Sequence, residues 1–485
     1  MEWLLASDYS WGRTILQRGV AAIFVVAFLC AALQFRALLG SRGLLPIPAF
    51  LDRKTFRSHP SVFHAYYSDR FFAAICWTGV ALAAAMVAGL GDVVPLWASV
   101  ILWLTLWGLY LSIVNVGQTW YSFGWESLLL ETGFLIAFLG NNDTAPPYPI
   151  LLLVVWLLFR VEFGAGMIKL RGDRCWRHLT CLDYHHETQP MPGPLSWFFH
   201  RLPTPLHRVE TAGNHVAQLI IPFGLFAPQP VAGAAAAIIV VTQLWLVASG
   251  NFAWLNWLTI LLACSAVDDQ GWSWIIGIAP PVVSSAQPMW FSVLVVAVTA
   301  LLVVLSWQPA RNLVSKRQRM NSSFDPLHLV NAYGAFGSVS RTRDEVVLEG
   351  THDHRITSET RWREYGFRGK PGDVRRLPRQ FSPYHLRLDW LMWFAAISPS
   401  YGQPWLGRLC AAMLTDDRTV LKLLRHNPFP DHPPTYVRAV LYRYRFSTYA
   451  ELRRDRAWWQ REPLGEYLAP RRVTDSRVHT EDHRG

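Results

Sequence analysis

Residues 289–307, MWFSVLVVAVTALLVVLSW, run for nineteen positions without a charged side chain. At 1.5 Å per residue such a helix nearly matches the ~30 Å hydrocarbon core of a bilayer. Five further predominantly apolar stretches occupy 16–33, 71–90, 96–114, 150–161 with its continuation, and 231–248. In hydrocarbon a backbone must satisfy its own hydrogen bonds, which for uninterrupted runs of this length means helices. Weaker candidates lie at 120–139, 211–227 and 252–267. The reading is a polytopic α-helical membrane domain with about seven to nine spans, nine being favoured.

Charge divides the chain sharply. Residues 1–310 hold 15 Lys and Arg against 15 Asp and Glu, whereas the remainder holds 30 against 19, so the whole net charge of +11 sits in the last third. This predicts three parts: a transmembrane domain over 1–310, a smaller basic, water-facing α+β domain over 311–470, and a disordered tail over 471–485. Many of the 24 Trp flank the spans, where amphipathic rings favour the interface. The first span is expected to stay in place, since Glu2 and Asp8 precede it and no small-residue cleavage site follows. No 20–50-residue repeat is visible.

Lys and Arg concentrate in the loops at 36–70 and 169–210 and after the last span (Arg311, Lys316, Arg317, Arg319), while Asp92, Asp143, Asp268 and Asp269 mark the others. With nine spans the two classes alternate. The positive-inside rule then puts the N-terminus outside and the basic loops and tail inside. Within the tail, 345–350, 362–367 and 437–446 have strand character, 367–373 reads as a turn, and 386–397 as an apolar helix.

Ionisable groups at bilayer depth need partners or a task. Glu126 and Glu131 are five residues apart, about 500° of helix, and cannot share one narrow face. One or both are expected to pair with Arg160 or to sit near the interface. Glu162 and Lys169 share a helix face with Gly166 between them. A desolvated lysine there is either a structural anchor that snorkels or a base. His215, with Asn214 and Gln218, forms a polar edge suited to hydrogen bonding or proton relay. His185, His186 and Glu187 are adjacent and lack the spacing of a helical metal motif, so they are read as polar structural groups and no metal is assigned. Cys175 and Cys181, with five residues between them in a loop, are a candidate disulfide if that loop faces an oxidising compartment. The other four cysteines lie in or beside apolar runs. No nucleotide, dinucleotide or hydrolase motif occurs, and no cofactor is assigned. The basic tail contains no nucleic-acid module, and anionic lipid head groups account for its charge more simply.

Six segments carry a resemblance: YSFGWESLLLETGF (121–134), RVEFGAGMIKLRGD (160–173), YHHETQPMP (184–192), FDPLHLVNAYGAFGSV (324–339), WREYGFRGKPGD (362–373) and PYHLRLDWLMWFAA (383–396). In this order they resemble the lipase maturation factor family. The resemblance implies a multi-pass membrane protein, resident in the endoplasmic reticulum in eukaryotic members, that helps secreted homodimeric lipases fold and assemble. It implies a C-terminal domain that binds an exported client on the extracytoplasmic side, contrary to the charge-based orientation. By that carry-over Asp325, His328, Asn331, Tyr333, Trp362, Tyr365, Lys370, Tyr384 and Trp390 are client-binding candidates. A more distant likeness to the vitamin K-dependent carboxylase group supplies the alternative, a membrane-embedded enzyme using Glu162, Lys169 and His215. The Arg-, Ala- and Trp-rich, Lys-poor composition and the lack of a lumenal retention signal suggest a bacterial member in the plasma membrane.

Overall fold

The computed structural model describes residues 5–280 and 287–473. Among the described residues, six helices are long and apolar enough to cross a membrane. Their regular parts are α1 (Ser10–Leu38), α2 (Asp69–Ala88), α3 (Leu96–Val116), α5 (Tyr148–Arg171), α8 (Val231–Ser249) and α10 (Met289–Leu305). Local chemistry sets their ends. The Ser68 hydroxyl accepts from the Phe71 amide at 3.0 Å to start α2, and Gly89, at φ 109°, closes it. Pro95 and Pro147 precede α3 and α5, where a missing amide proton costs nothing.

The three weaker stretches are also helical: α4 (Gly124–Ile136), α7 (Thr204–Leu219) and α9 (Leu255–Cys264), of 13, 16 and 10 residues. They are shorter than a bilayer-crossing helix. Most of α4 is buried inside the bundle, and α7 runs through Ile220 into a short helix, Ile221–Gly224. A seven-residue helix, α6 (Leu182–Thr188), lies in the loop between α5 and α7.

The bundle has two distinct ends. At one, Asp269 accepts from the amides of Ser10 and Trp11, Arg18 pairs with Asp92 at 2.6 Å, and Arg13 donates to the Thr144 carbonyl at 2.6 Å. At the other, Gln34 donates to the His385 carbonyl, Arg408 to that of Leu44, and Arg343 to that of Glu187. The acidic loops therefore gather at one end, and the basic loops and the tail at the other.

The tail is α+β. A two-residue pair, β1 (Ser322–Ser323) with β2 (Asn331–Ala332), precedes an antiparallel four-stranded sheet. The sheet runs β4-β3-β5-β6, with β3 Arg343–Thr351, β4 Arg363–Glu364, β5 Tyr436–Phe446 and β6 Trp459–Arg471. The strand expected over 362–367 pairs for only two residues, because Gly366 exchanges backbone bonds with His426 instead. Strand β6 gave no clear sequence signal. It is an edge strand with prolines, charges on both faces and shifted register against β5, all of which edges tolerate. The expected disordered segment 471–485 lies almost wholly outside the described residues.

Helices α11 (Arg387–Ile397) and α12 (Leu406–Leu414) pack beneath the sheet. One continuous apolar core runs from Leu16 and Phe24 of α1 through Trp390 and Met392 to Val437. Part of the tail's basic charge is engaged internally: Arg438 with Glu349, Arg443 with Asp344 and Arg461 with Glu364.

Candidate functional site

The two carboxylates of α4 point different ways and meet different partners. Glu131 pairs with Arg160 of α5 and also accepts from the Asn331 amide and side chain, each at 2.9 Å, and from the Tyr333 hydroxyl at 2.8 Å. Glu126 pairs with Arg387 at 2.7 Å and accepts from the Tyr110 hydroxyl. Arg387 also donates to the Trp120 carbonyl at 2.6 Å, and its guanidinium lies 3.5 Å from the Tyr121 ring centroid. All four ionic side chains are buried. Two membrane-domain carboxylates thus clasp the C-terminal domain.

A third tie lies in the loop after α5. Arg343, fully buried, pairs with Glu345 at 2.6 Å and donates to the carbonyls of Glu187, Gln189 and Pro190. Lys370 meets the other Glu345 oxygen at 2.8 Å. The Glu187 carboxylate accepts from the Phe446 amide at 2.6 Å, and burial raises its pKa. In the same loop Cys175 and Cys181 are joined by a disulfide, their Cα atoms 4.8 Å apart.

Beside these ties lies a cavity of about 1140 Å³. Helices α5, α7, α8 and α9 form its walls, and residues 333–338 and 390–394 of the tail close one side. Its lining is mainly apolar, with two polar groups set into it. Asn256 donates to Gln243 at 2.6 Å, and Gln243 donates to the Glu162 carboxylate at 2.6 Å. Lys169 donates to Asn214 at 2.6 Å and Gln218 at 2.9 Å, with its ammonium 4.8 Å from the Trp176 ring centroid. Glu162 and Lys169 share this cavity, each held by neutral amides. His215 is not part of its lining; it bonds the Trp176 carbonyl at 3.0 Å and so ties α7 to the disulfide loop. His185 does line the cavity, and burial drives its pKa down to about 3, so it is neutral at ordinary pH. Nearby, His186, His207 and Glu210 each bring one ligand atom within 4.8 Å of the others.

Of the nine client-binding candidates, Asn331, Tyr333, Tyr365, Lys370 and Trp390 are buried, with Tyr333 and Trp390 lining the cavity. They bind the chain to itself: Trp390 packs edge-on to Trp125 at 4.9 Å, and Tyr365 lies against Phe429. Asp325 shapes a turn by accepting from the amides of Leu327 and Leu329, and His328 bonds Ser323 at 2.6 Å. Tyr384 accepts from Gln34. Trp362 is half-buried, with the Arg438 guanidinium 4.0 Å from its ring centroid. Arg343 and Arg387 carry the domain junction, and sequence alone did not single them out from the many arginines of the tail.

Residues 11–274 match the family described as the lipase maturation factor transmembrane domain, and residues 329–469 match the lipase maturation factor C-terminal domain. The chain belongs to the lipase maturation factor family. It is 38% identical to lipase maturation factor 1 of Homo sapiens, over 97% of this chain and 89% of that protein. To lipase maturation factor 1 of Bos taurus it is 40% identical, over 96% and 90%. Lipase maturation factor 2 of Homo sapiens is more distant, at 28% over 96% and 84%. No solved structure matches. In this lipase maturation factor family member the two matched regions meet through the Glu126–Arg387 and Glu131–Asn331 contacts.

Proposed function

We propose that this chain is a membrane-embedded maturation factor that holds a partly folded, exported lipase at the end of the bundle where the tail and the disulfide loop meet. Binding there competes with client misassembly, and no bond is made or broken. The observation that carries the reading is the similarity to lipase maturation factor 1 across both domains. The geometry supports it: the disulfide loop and the tail form one surface, joined where Trp197 donates to the Ser447 carbonyl at 2.9 Å. A carboxylase-like enzyme finds no counterpart among the relatives above.

The side of the membrane follows from a conflict between two rules. Charge counting puts the basic end in the cytoplasm, whereas a disulfide persists only in an oxidising compartment. We give the disulfide priority, because a bonded Cys175–Cys181 pair would be reduced in the cytosol. The tail then faces outward, from the plasma membrane of a bacterial cell. Arg311, Lys316, Arg317 and Arg319, exposed after the last span, meet anionic lipid head groups.

Because the tail is clasped to the bundle by the buried Glu126–Arg387 pair and the hydrogen bonds of Glu131, deleting it exposes charge. Surface substitutions are the cleaner test. The exposed side chains Ile356 and Tyr449 and the half-buried Trp362 are replaced by Ala, and a co-expressed secreted homodimeric lipase is co-purified. Client recovery should fall severalfold with the chain's abundance unchanged, and full recovery removes the reading. Labelling of Ser338→Cys, an exposed site, should need no permeabilisation; a requirement for it reverses the orientation.

A further inference from the structure

His186, His207 and Glu210 come together where α6 packs on the first turns of α7. His207 and Glu210 are three residues apart on α7, so both project from one face. His186 approaches from α6, its ring centroid 5.7 Å from that of His207. Both histidines are about 2% exposed or less. The two ring nitrogens of His186, Nδ1 of His207 and Oε2 of Glu210 are all buried without a hydrogen-bond partner. Nε2 of His186 stands 3.5 Å from Oε2 of Glu210, beyond a normal N–H···O bond. Buried polar atoms are rarely left unpaired, and four at one point call for an explanation.

The surroundings hold two of these side chains in place. The other Glu210 oxygen accepts from the Trp245 indole at 2.6 Å, which fixes the carboxylate. The Phe199 ring stacks on His186 and meets Trp245 edge-on at 4.8 Å. Supporting contacts of this kind orient first-row metal ligands and set their affinity. Two imidazoles with one carboxylate suit zinc, whereas calcium and magnesium prefer oxygen alone.

We propose that His186, His207 and Glu210 bind a divalent transition-metal ion of the zinc class, with a fourth position left for water or a ligand oxygen. Glu210 also lines the large cavity, so the ion sits in its wall. The site is separate from the amide-held Glu162 and Lys169 and does not depend on the identity of the client.

The test uses the full-length chain in detergent, its affinity tag removed, incubated with zinc and dialysed against metal-free buffer before elemental mass spectrometry. The wild type should retain about one zinc per chain, and Glu210→Gln and His207→Ala roughly tenfold less or lower still. His200→Ala changes a neighbouring half-buried histidine outside the set and should keep the metal. Cobalt should give the visible absorption of a four-coordinate site in the wild type and none in Glu210→Gln. Elution volume and near-ultraviolet circular dichroism verify the fold of each variant, and His186→Gln replaces any that fails. The proposal is overturned if the wild type retains under about a tenth of an equivalent, if two folded ligand variants bind like the wild type, or if His200→Ala loses the ion as they do.

Discussion

Helix α4 carries Glu126 and Glu131 into the apolar bundle and α5 carries Glu162 and Lys169 besides Arg160, and the two pairs solve the same problem in opposite ways. Glu126 and Glu131 each meet an arginine and further donors, in protein packed on every side. Glu162 and Lys169 meet neutral amides and border open space. A carboxylate fixed by a permanent cation is a clasp, since removing either partner leaves a buried charge unanswered. Charges held by amides in a cavity wall keep hydrogen-bonding freedom and can accept a visitor. Depth in the membrane alone therefore does not distinguish a structural charge from an available one; the partner does.

The contrast predicts a ranking of effects. Arg387→Met strands Glu126 and should cost about 3–5 kcal/mol, seen as a lower thermal midpoint in detergent and faster proteolysis of the tail. A value near zero would dissolve the clasp. Cys175→Ser with Cys181→Ser opens a short loop and should cost about 2 kcal/mol by loop entropy, read in the same melt with and without reductant. Glu162→Gln leaves Gln243 an acceptor and should cost about 1 kcal/mol or less. If it destabilises as much as Arg387→Met, the distinction between the two helices fails. The last effect is a pH response. Burial drives the His200 pKa down to about 3, so the unfolded chain takes up a proton that the folded chain refuses. The stability it favours is full above about pH 6.5 and is lost progressively as pH falls towards 3. His200→Gln should flatten the decline in thermal midpoint between pH 7 and 5, and an unchanged slope counts against this assignment.

The long apolar runs and the switch to a basic α+β tail were legible because hydrophobic length and charge are local properties. The partner of Glu131 was legible for the same reason, since Arg160 is the one basic residue inside the next strongly apolar run. Arg387 was not, because it lies 261 positions from Glu126 among many other arginines. The cavity was equally hidden: Gln243 and Asn256 are ordinary amides until two helices bring them to Glu162. The His186 group escaped because its members come from two helices. The His-x-x-Glu spacing at 207–210 was the available signal, and it lies 21 positions from His186 on a separate helix. The tail candidates taken from family segments marked packing as often as surface, since segments that hold a fold together are also recognisable.

The clasp also has a history in the order of synthesis. Glu131 finds its arginine 29 residues downstream, but Glu126 must wait 261 residues for Arg387. At translation rates of about 5–20 residues per second, that is tens of seconds during which an acid in the nascent bundle has no cation. Completion of the membrane domain is therefore deferred until the last domain arrives. A chain cut short before residue 387 would keep an unanswered carboxylate in its bundle, a mark by which quality control can tell unfinished product from finished.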